Sequence, residues 1–495
     1  MKPSDHDEHA PVATEDKQGE FIETDLLNES EIEIEEEEVV RKRLIDPNEE
    51  LTDASARSKV LTLAVPAVAE QFLMSLIGMA DMMMVGSVGA AAIASVGLTN
   101  QPMLLAMAVF MALNTGTTAI VARLLGAGRA KEANEAARQT LVMICIMGLV
   151  MSVIMFLLAE PILLFMGAED DTMYHAVDYF RIVSASMLFN TIMMAINSIV
   201  RGAGDTKTPM FNNVVSNLVN LVFNYILING IAGFPRMEVA GAAVATLLSR
   251  VVGAILALYV VLNGKHQIYI DLKTKFVFNF DLLRRVMNIS IPSALEQFVM
   301  RAGQILFVKT VSGLGTTVYA AHQVALNIVS LSFTPGQGFA MAATTLVGQS
   351  LGANRSDWAE KCTRITRQLG LYVAITMGVV FFFAGDKIAY LYSPEDMDVV
   401  RNAAIALQII AFVQPFQSAQ FIYAGALRGA GDTKWPLYST IAGVWGFRVT
   451  LSYLFVQILG WGLHGAWYAM VLDQLMRSTV VTLRFNNGGW KKKRI

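Results

Sequence analysis

The stretch Arg201-Gly-Ala-Gly-Asp-Thr-Lys207 recurs unchanged as Arg428-Gly-Ala-Gly-Asp-Thr-Lys434, and two residues after each copy stands a proline, Pro209 and Pro436. Seven identities in order are hard to produce by chance in 495 residues, and the echo continues outward. Pro66, Glu70 and Gln71 return at a spacing of 226 as Pro292, Glu296 and Gln297. Leu-Gly-Ala-Gly-Arg ending at Arg129 returns at the same spacing as Leu-Gly-Ala-Asn-Arg ending at Arg355. The chain is therefore a duplicated unit.

Composition says what kind of unit. The chain is 54% hydrophobic and 16% charged, too apolar for a surface that faces water. About 20 apolar residues cross a bilayer core of ~30 Å. Twelve such stretches begin near Leu61, Val96, Thr140, Val177, Pro209, Val239, Val286, Tyr319, Leu369, Ala403, Trp435 and Leu463. Bases gather in the loops after even-numbered stretches: Arg123, Arg129, Lys131 and Arg138; Arg201 and Lys207; Lys265, Lys273, Lys275, Arg284 and Arg285; then Arg355, Lys361, Arg364 and Arg367. The positive-inside rule then puts both termini in the cytoplasm. Each unit holds six spans, so the two are related by an axis along the membrane normal and not by inversion. The expectation is an all-α polytopic membrane protein with about twelve transmembrane helices in two six-helix lobes.

The expected boundaries follow charge and hydropathy. Residues 1–53 carry 19 of the 41 acidic side chains against five strong bases, leaving 33 bases and 22 acids in the rest. An acidic, disordered cytoplasmic tail is expected over 1–54. The N-lobe follows over 55–264 with spans 1 to 6, then a cytoplasmic linker over 265–284. The C-lobe covers 285–485 with spans 7 to 12, and a basic cytoplasmic C-terminus covers 486–495. The first residues are acidic and polar, unlike a secretory signal, so the first span is expected to insert uncleaved.

Cys145 and Cys362 have no metal-ligand spacing around them, and neither a disulfide nor a cofactor is expected. No His-Glu-x-x-His, Gly-x-Ser-x-Gly or paired catalytic aspartate pattern points to an enzyme. The repeated Gly-Ala-Gly-Asp-Thr-Lys lacks the spacer and ending of a phosphate loop. It reads better as a helix stop at Gly202 and Gly429, with a basic residue and a proline opening the next helix. Energy is then expected from an ion gradient.

Three features together resemble the multidrug and toxic compound extrusion (MATE) family over about residues 55 to 485. They are Ala-Asp81-Met-Met-Met-Val-Gly at the end of the first span, Ala-Ala-His-Gln-Val-Ala-Leu-Asn from Ala320, and the paired Arg-Gly-Ala-Gly-Asp-Thr-Lys motifs. The resemblance implies a V-shaped pair of six-helix lobes and export of amphipathic, mostly cationic small molecules in exchange for H⁺ or Na⁺. It implies a plasma (inner) membrane location. The acidic tail lies outside the family pattern. A monomer is expected, with the lipid bilayer and small amphipathic substrates as partners and no nucleic acid.

Asp81 is the first candidate, because a carboxylate inside a span costs about 2.5–3.5 kcal/mol on insertion scales. The resemblance makes it the cation-coupling acid, with Asn220, Asn224 and Thr246 as companions and Na⁺ at Asp81, Asn220 and Asn224 as one option. The residues also speak for themselves: Asn213, Asn217, Asn220 and Asn224 fall at spacings of 4, 3 and 4, one helical face. Such a stripe either lines an ion site or bonds neighbouring helices. Glu70, Gln71, Glu296 and Gln297 are candidates for the substrate cleft, as are Gln414 and Gln417. The rival reading of Glu70 and Glu296 is an interhelix bond, and Arg301 and Lys309 are candidates to neutralise Glu296. Met300 stands where some Na⁺-coupled relatives carry a glutamate, and the tenth span has Gln414, Gln417 and Gln420 in place of an acid, so a second-lobe Na⁺ site is not expected.

Thr334-Pro335-Gly336-Gln-Gly338 is expected to interrupt the eighth span as a hinge or gate at Pro335 and Gly336, or simply to kink it. Met79, Met82, Met83 and Met84 suit a pocket that repacks around varied ligands. His322 and Gln323 make either a helix-helix contact or a proton relay. The alternative to drug export is a lipid-linked precursor flippase, which would need a cationic cavity; Arg250, Arg301, Lys309, Arg448 and Arg477 are the bases for it.

Overall fold

The computed structural model describes residues 44–493 apart from 87–89, 169, 232, 265–266, 272–274 and 395. Residues 1–43 of the acidic stretch, Glu169, Lys265, Lys273 and the side chains of Met82 and Met83 lie outside the described residues. Described secondary structure is helical throughout, with no strand among the described residues.

Six long helices form the first lobe, with a short helix Ala159–Phe165 between the third and fourth: α1 (Asp53–Gly86), α2 (Ala90–Gly126), α3 (Ala130–Leu157), α4 (Asp170–Gly202), α5 (Lys207–Asn229) and α6 (Glu238–Leu262). The second lobe repeats the series with α7 (Phe280–Ser312), α8 (Thr316–Gly352) and α9 (Ser356–Tyr392). Its tenth span, α10, is broken into Met397–Ala411 and Gln414–Gly429, with a 58° bend between them at the approach to Pro415. The eleventh, α11 (Lys434–Ile458), holds two π-helical runs, Ile441–Val449 and Leu454–Ile458. The twelfth, α12, spans Gly462–Asn486.

Eight of these helices are long and apolar enough to cross a bilayer, and the bent α10 pair makes a ninth. The remaining three, α7, α8 and α12, are long enough but carry polar side chains that the fold turns inward. Glu296, His322, Gln349, Asp473, Gln474 and Arg477 on them are all buried. This is the physical reason that a test for apolarity alone finds fewer spans than the repeat does.

The lobes meet through matching pairs, α1 on α8 and α2 on α7, with α2 and α8 crossing between them. Contact concentrates at the end that carries the basic loops. A Cβ on Gly126 would lie 2.1 Å from the Gln349 carbonyl oxygen, and one on Gly352 would lie 2.1 Å from that of Arg123. Gly116 sits against Ser290 and Val286 of α7, and Gly338 against Val68 of α1. Glycine is needed there because the backbones themselves are in contact. Farther along α1, the Ser75 and Thr334 hydroxyls are 3.3 Å apart. Phe72 just before that contact, and Leu76 and Met79 beyond it, are exposed.

The chain ends reinforce the closed basic end. Residues 44–52, expected to belong to the free tail, pack on the body because an apolar pair interrupts the charge: Ile45 is fully buried in a cluster with Val60, Ala343 and Trp358. Arg355 donates to the carbonyls of Pro47 (2.7 Å) and Glu49 (3.0 Å), and Lys59 donates to the Leu44 carbonyl. At the other terminus Trp490 is buried and stacks on Phe485, and Arg123 of α2 donates to the Lys493 carbonyl at 3.0 Å.

The two Gly-Ala-Gly-Asp-Thr-Lys copies end helices at Gly202 and Gly429, as their spacing predicts. The left-handed residues are the second glycines, Gly204 (φ 94°) and Gly431 (φ 76°). Gly202 and Gly429 are small because the carbonyls of Thr118 and Thr344 press on them. Asp205 then accepts from the Lys207 and Thr208 amides to start α5, whereas Asp432 pairs with Arg484 at 2.7 Å.

Candidate functional site

The asparagine stripe of α5 faces inward, with Asn213, Asn220 and Asn224 buried. It divides into two polar knots. In the one farther from the basic end, the Asn224 amide donates to Asp81 of α1 and to the Asn220 carbonyl oxygen at 3.1 Å. Asn220 in turn donates to the Thr246 hydroxyl of α6 at 3.3 Å. Asp81, Asn220, Asn224 and Thr246 are thus one connected chain across three helices. The Asn224 Oδ1 is buried without a hydrogen-bond partner. Reversing that amide would point its oxygen at a carboxylate, so the donor must face Asp81 and the acceptor stays vacant.

Arg250, one turn beyond Thr246, donates to Ser186 of α4 at 2.6 Å and lies within electrostatic reach of both Asp81 and Tyr179. Sequence reasoning placed Arg250 among the flippase bases and did not connect it with Asp81. Oxygens of Asp81, Asn220, Asn224 and Thr246 could serve a hard cation, and a single carboxylate among amides could equally carry a proton. No group of three His, Cys, Asp or Glu side chains with metal-site geometry occurs among the described residues.

The knot nearer the basic end is built on Glu70. Arg201 pairs with it at 2.6 Å, and Asn213 donates to the same oxygen. Asn197 joins by donating to Asn213 at 3.3 Å. The second lobe repeats the plan: Arg428 pairs with Glu296 at 2.6 Å, and Thr440, at the position matching Asn213, donates to it at 3.5 Å. The partner of Glu296 is therefore Arg428 of the repeated motif, not Arg301 or Lys309. Both glutamates are buried and already neutralised. Gln71 contacts the Met341 sulfur across the lobe boundary at 3.8 Å, while Gln297 lies outside these bonds.

In the second lobe Gln414, Gln417 and Gln420 are buried, and Gln417 has both side-chain polar atoms without a partner. Deeper in that lobe Asp473 is fully buried between Arg448 and Arg477, the latter at 3.1 Å. Asp473 was not singled out from the sequence, although the argument applied to Asp81 covers it: a lone acid in an apolar stretch is expensive. His322 is fully buried, its ring packed edgewise against Phe307 and Trp467 at 5.6 and 5.7 Å. Gln323 donates to the Tyr319 hydroxyl at 2.6 Å.

Pro335 does not break α8, which runs unbroken from Thr316 to Gly352. The loss of one backbone donor is absorbed within the helix, and the small residues serve packing: a Cβ on Gly336 would meet the Phe421 ring at 2.9 Å.

Two pseudo-symmetric helical lobes, each with a polar seam inside an apolar shell, define a polytopic membrane transporter. The MatE family profile matches residues 66–226 and 292–454, one segment in each lobe. The "Probable multidrug resistance protein NorM" of Thermotoga maritima is 31% identical over 91% of this chain and 96% of its own. "Uncharacterized transporter YisQ" of Bacillus subtilis is 30% identical over 88% of this chain and 95% of its own. The chain belongs to the MatE family. Its fold is shared with a MATE transporter crystallised in the bent conformation (TM-score 0.83, 23% identity, covering 92% of this chain and 98% of the other). It is shared too with a MATE multidrug resistance transporter in an outward-facing conformation (TM-score 0.82, 24% identity, covering 88% and 97%).

Proposed function

We propose that the chain is a secondary exporter of amphipathic, mainly cationic small molecules, driven by H⁺ or Na⁺ entry at Asp81. The observation that carries this reading is the connected set Asp81, Asn224, Asn220 and Thr246, reaching from the first helix to the sixth. Multidrug resistance in the name of the Thermotoga relative supports the substrate class. A proton is the favoured coupling ion, because the knot offers one carboxylate, whereas Na⁺ wants several charged or strongly polar oxygens.

With the basic end in the cytoplasm of a plasma-membrane protein, the tight glycine contacts at that end correspond to an outward-open state. Substrate enters between the lobes of residues 55–264 and 285–485 when this end opens. The lobes then rock, and an ion arriving at Asp81 neutralises the carboxylate, frees the Asn224 amide and favours release and return. Pro335 and Gly336 stand on α8 between its interlobe contacts at Thr334 and Gly338, the position of a hinge for the rocking. Gln414 and Gln417 offer unpartnered amides to substrate. The flippase alternative loses support from the pairing of Arg448 and Arg477 with Asp473, which leaves these guanidiniums less available to a pyrophosphate.

Ethidium efflux from proteoliposomes, under separately imposed Na⁺ and pH gradients, tests the proposal. Efflux should follow one gradient and be lost in Asp81→Asn at unchanged membrane insertion. Full efflux in that variant would remove Asp81 from the mechanism, and efflux under neither gradient would turn attention to lipid-linked cargo.

A further inference from the structure

The last part of the segment joining the lobes, residues 275–279, is not a slack tether. Residues 275–279 lie along the first turns of α3, where Arg138 donates to the Lys275 carbonyl at 2.7 Å, Gln139 donates to that of Val277, and Asn279 donates to Glu135 at 2.9 Å. This fixed segment leaves its apolar side chains outside. Val277 is 73% exposed and Phe280 76%, with Phe276 and Phe278 also exposed. The rings form a continuous row: Phe276 meets Phe278 edge-on at 4.8 Å, and Phe278 stacks on Phe280 at 6.2 Å. Arg138 lies over the Phe276 ring at 5.1 Å.

The depth of this row is set by its neighbours. After Arg138 and Gln139 the helix α3 has no charged residue to its end at Leu157, and after Arg284 and Arg285 the helix α7 has none until Glu296. The change on α3 falls beside Val277, which Gln139 holds, and the change on α7 falls one turn past Phe280, so the phenyl row lies on the headgroup side of the boundary with the acyl chains. Exposed Lys275 and Arg284 flank it. Aromatic rings at that depth, beside bases with no ion-pair partner among the described residues, complement a lipid surface with negative headgroups.

We propose that residues 275–284, the end of the interlobe linker, form an anchor that seats on an anionic lipid leaflet, with Phe276, Phe278 and Phe280 reaching towards the acyl boundary and Lys275 and Arg284 meeting lipid phosphates. The anchor gives the point between the two moving lobes a fixed depth, so that rocking is referred to the membrane surface. It rests on the membrane-spanning fold and not on the identity of the cargo or the coupling ion.

The test uses the full chain in bilayers of mixed phosphatidylcholine and phosphatidylglycerol, followed by native mass spectrometry of the lipids that stay bound. Wild type should retain phosphatidylglycerol in preference. The exposed pair Lys275→Gln/Arg284→Gln should retain at least about threefold less. The control Lys207→Gln/Lys434→Gln, equal in charge and also at the basic end, should behave as wild type. Equal losses in both variants would mean general surface charge, and no preference in wild type would mean no anionic site; either overturns the proposal. Phe280→Cys that cross-links two copies efficiently in the bilayer would give the row to a protein partner and overturn it as well. Lipid retention is read without transport, so a failure of the exporter reading leaves this result standing.

Discussion

Arg201 closes on Glu70 at 2.6 Å inside the first lobe, and the same contact recurs between Arg428 and Glu296 in the second. The glutamates come from the proline-bearing first helix of each lobe and the arginines from the repeated seven-residue motif, so the strongest sequence echo is also a structural pairing. A buried ion pair is costly to break from one side, by about 3–5 kcal/mol, because the surviving charge is stranded. Glu70→Ala should therefore lower the unfolding temperature of the purified protein markedly. Glu70→Ala/Arg201→Ala should recover part of the loss. If Glu70 instead contacts substrate, Glu70→Gln will weaken ethidium binding with little change in unfolding temperature; binding and unfolding measured on one sample separate the two roles.

The bond from Asn224 to Asp81 is the only link from the α5 stripe to that carboxylate among the bonds of the described residues. Asn224→Ala should reduce efflux about tenfold, the scale of one lost hydrogen bond to a charged group. Thr246→Ala, two bonds away through Asn220, should cost less. Initial efflux rates at saturating substrate decide this ordering, and an equal effect of both would mean that the chain acts as a packing unit and not as a relay.

Much of this was legible from residues alone. Duplication and charge asymmetry fix a two-lobe helical membrane protein, because six apolar stretches per repeat with bases on one side admit few other arrangements. The α5 stripe was legible because the 4, 3, 4 spacing of its asparagines reports one helical face whatever surrounds it. Pairings between helices were not: nothing local links Glu296 to Arg428, or Asp473 to Arg448, since these meet only when the lobe closes. The packing of Leu44 to Thr52 was hidden by its acidic neighbours, although Ile45 beside Leu44 was the apolar exception in the run. The interruption expected at Pro335 does not occur, since a helix buried among others can absorb one missing donor.

The docked segment before α1 carries its own pH signature. Burial raises the Glu49 carboxyl, but hydrogen bonds from Lys59 and Ser55 outweigh it and hold the group below its ordinary value of 4.5. A carboxylate depressed in the folded state adds stability above its unfolded value and loses it as pH falls through the folded one. Docking of residues 44–52 should thus be constant from neutral pH down to about 5 and loosen only in more acidic solution. Hydrogen exchange of peptides covering Ile45, corrected for intrinsic rates, reads this directly. Loosening between pH 7 and 6 would point to a different titrating group. Glu49→Gln should show the loosened pattern at neutral pH.

The closed basic end rests on glycines with no room for a methyl group, and this makes the conformational balance open to single substitutions. A Cβ on Gly126 would sit 2.1 Å from the Gln349 carbonyl oxygen, a backbone atom of the opposite lobe that cannot swing away as a side chain would. Gly126→Ala must therefore push α2 from α8, at a strain of about 1–3 kcal/mol carried by the closed state alone. A penalty of this size on one of two states moves their ratio by roughly 5- to 150-fold. Gly78→Ala is the matched control, since a Cβ there meets nothing within 4 Å. Spin labels on the exposed residues Lys131 and Gln368, towards the basic ends of α3 and α9, should show longer distances in Gly126→Ala and unchanged ones in Gly78→Ala. Efflux should fall in the first variant because the open basic end is favoured over return. An unchanged distance distribution in Gly126→Ala would mean that the lobes yield locally at this contact, and that the basic end is held shut by the terminal segments through Arg355 and Arg123 instead.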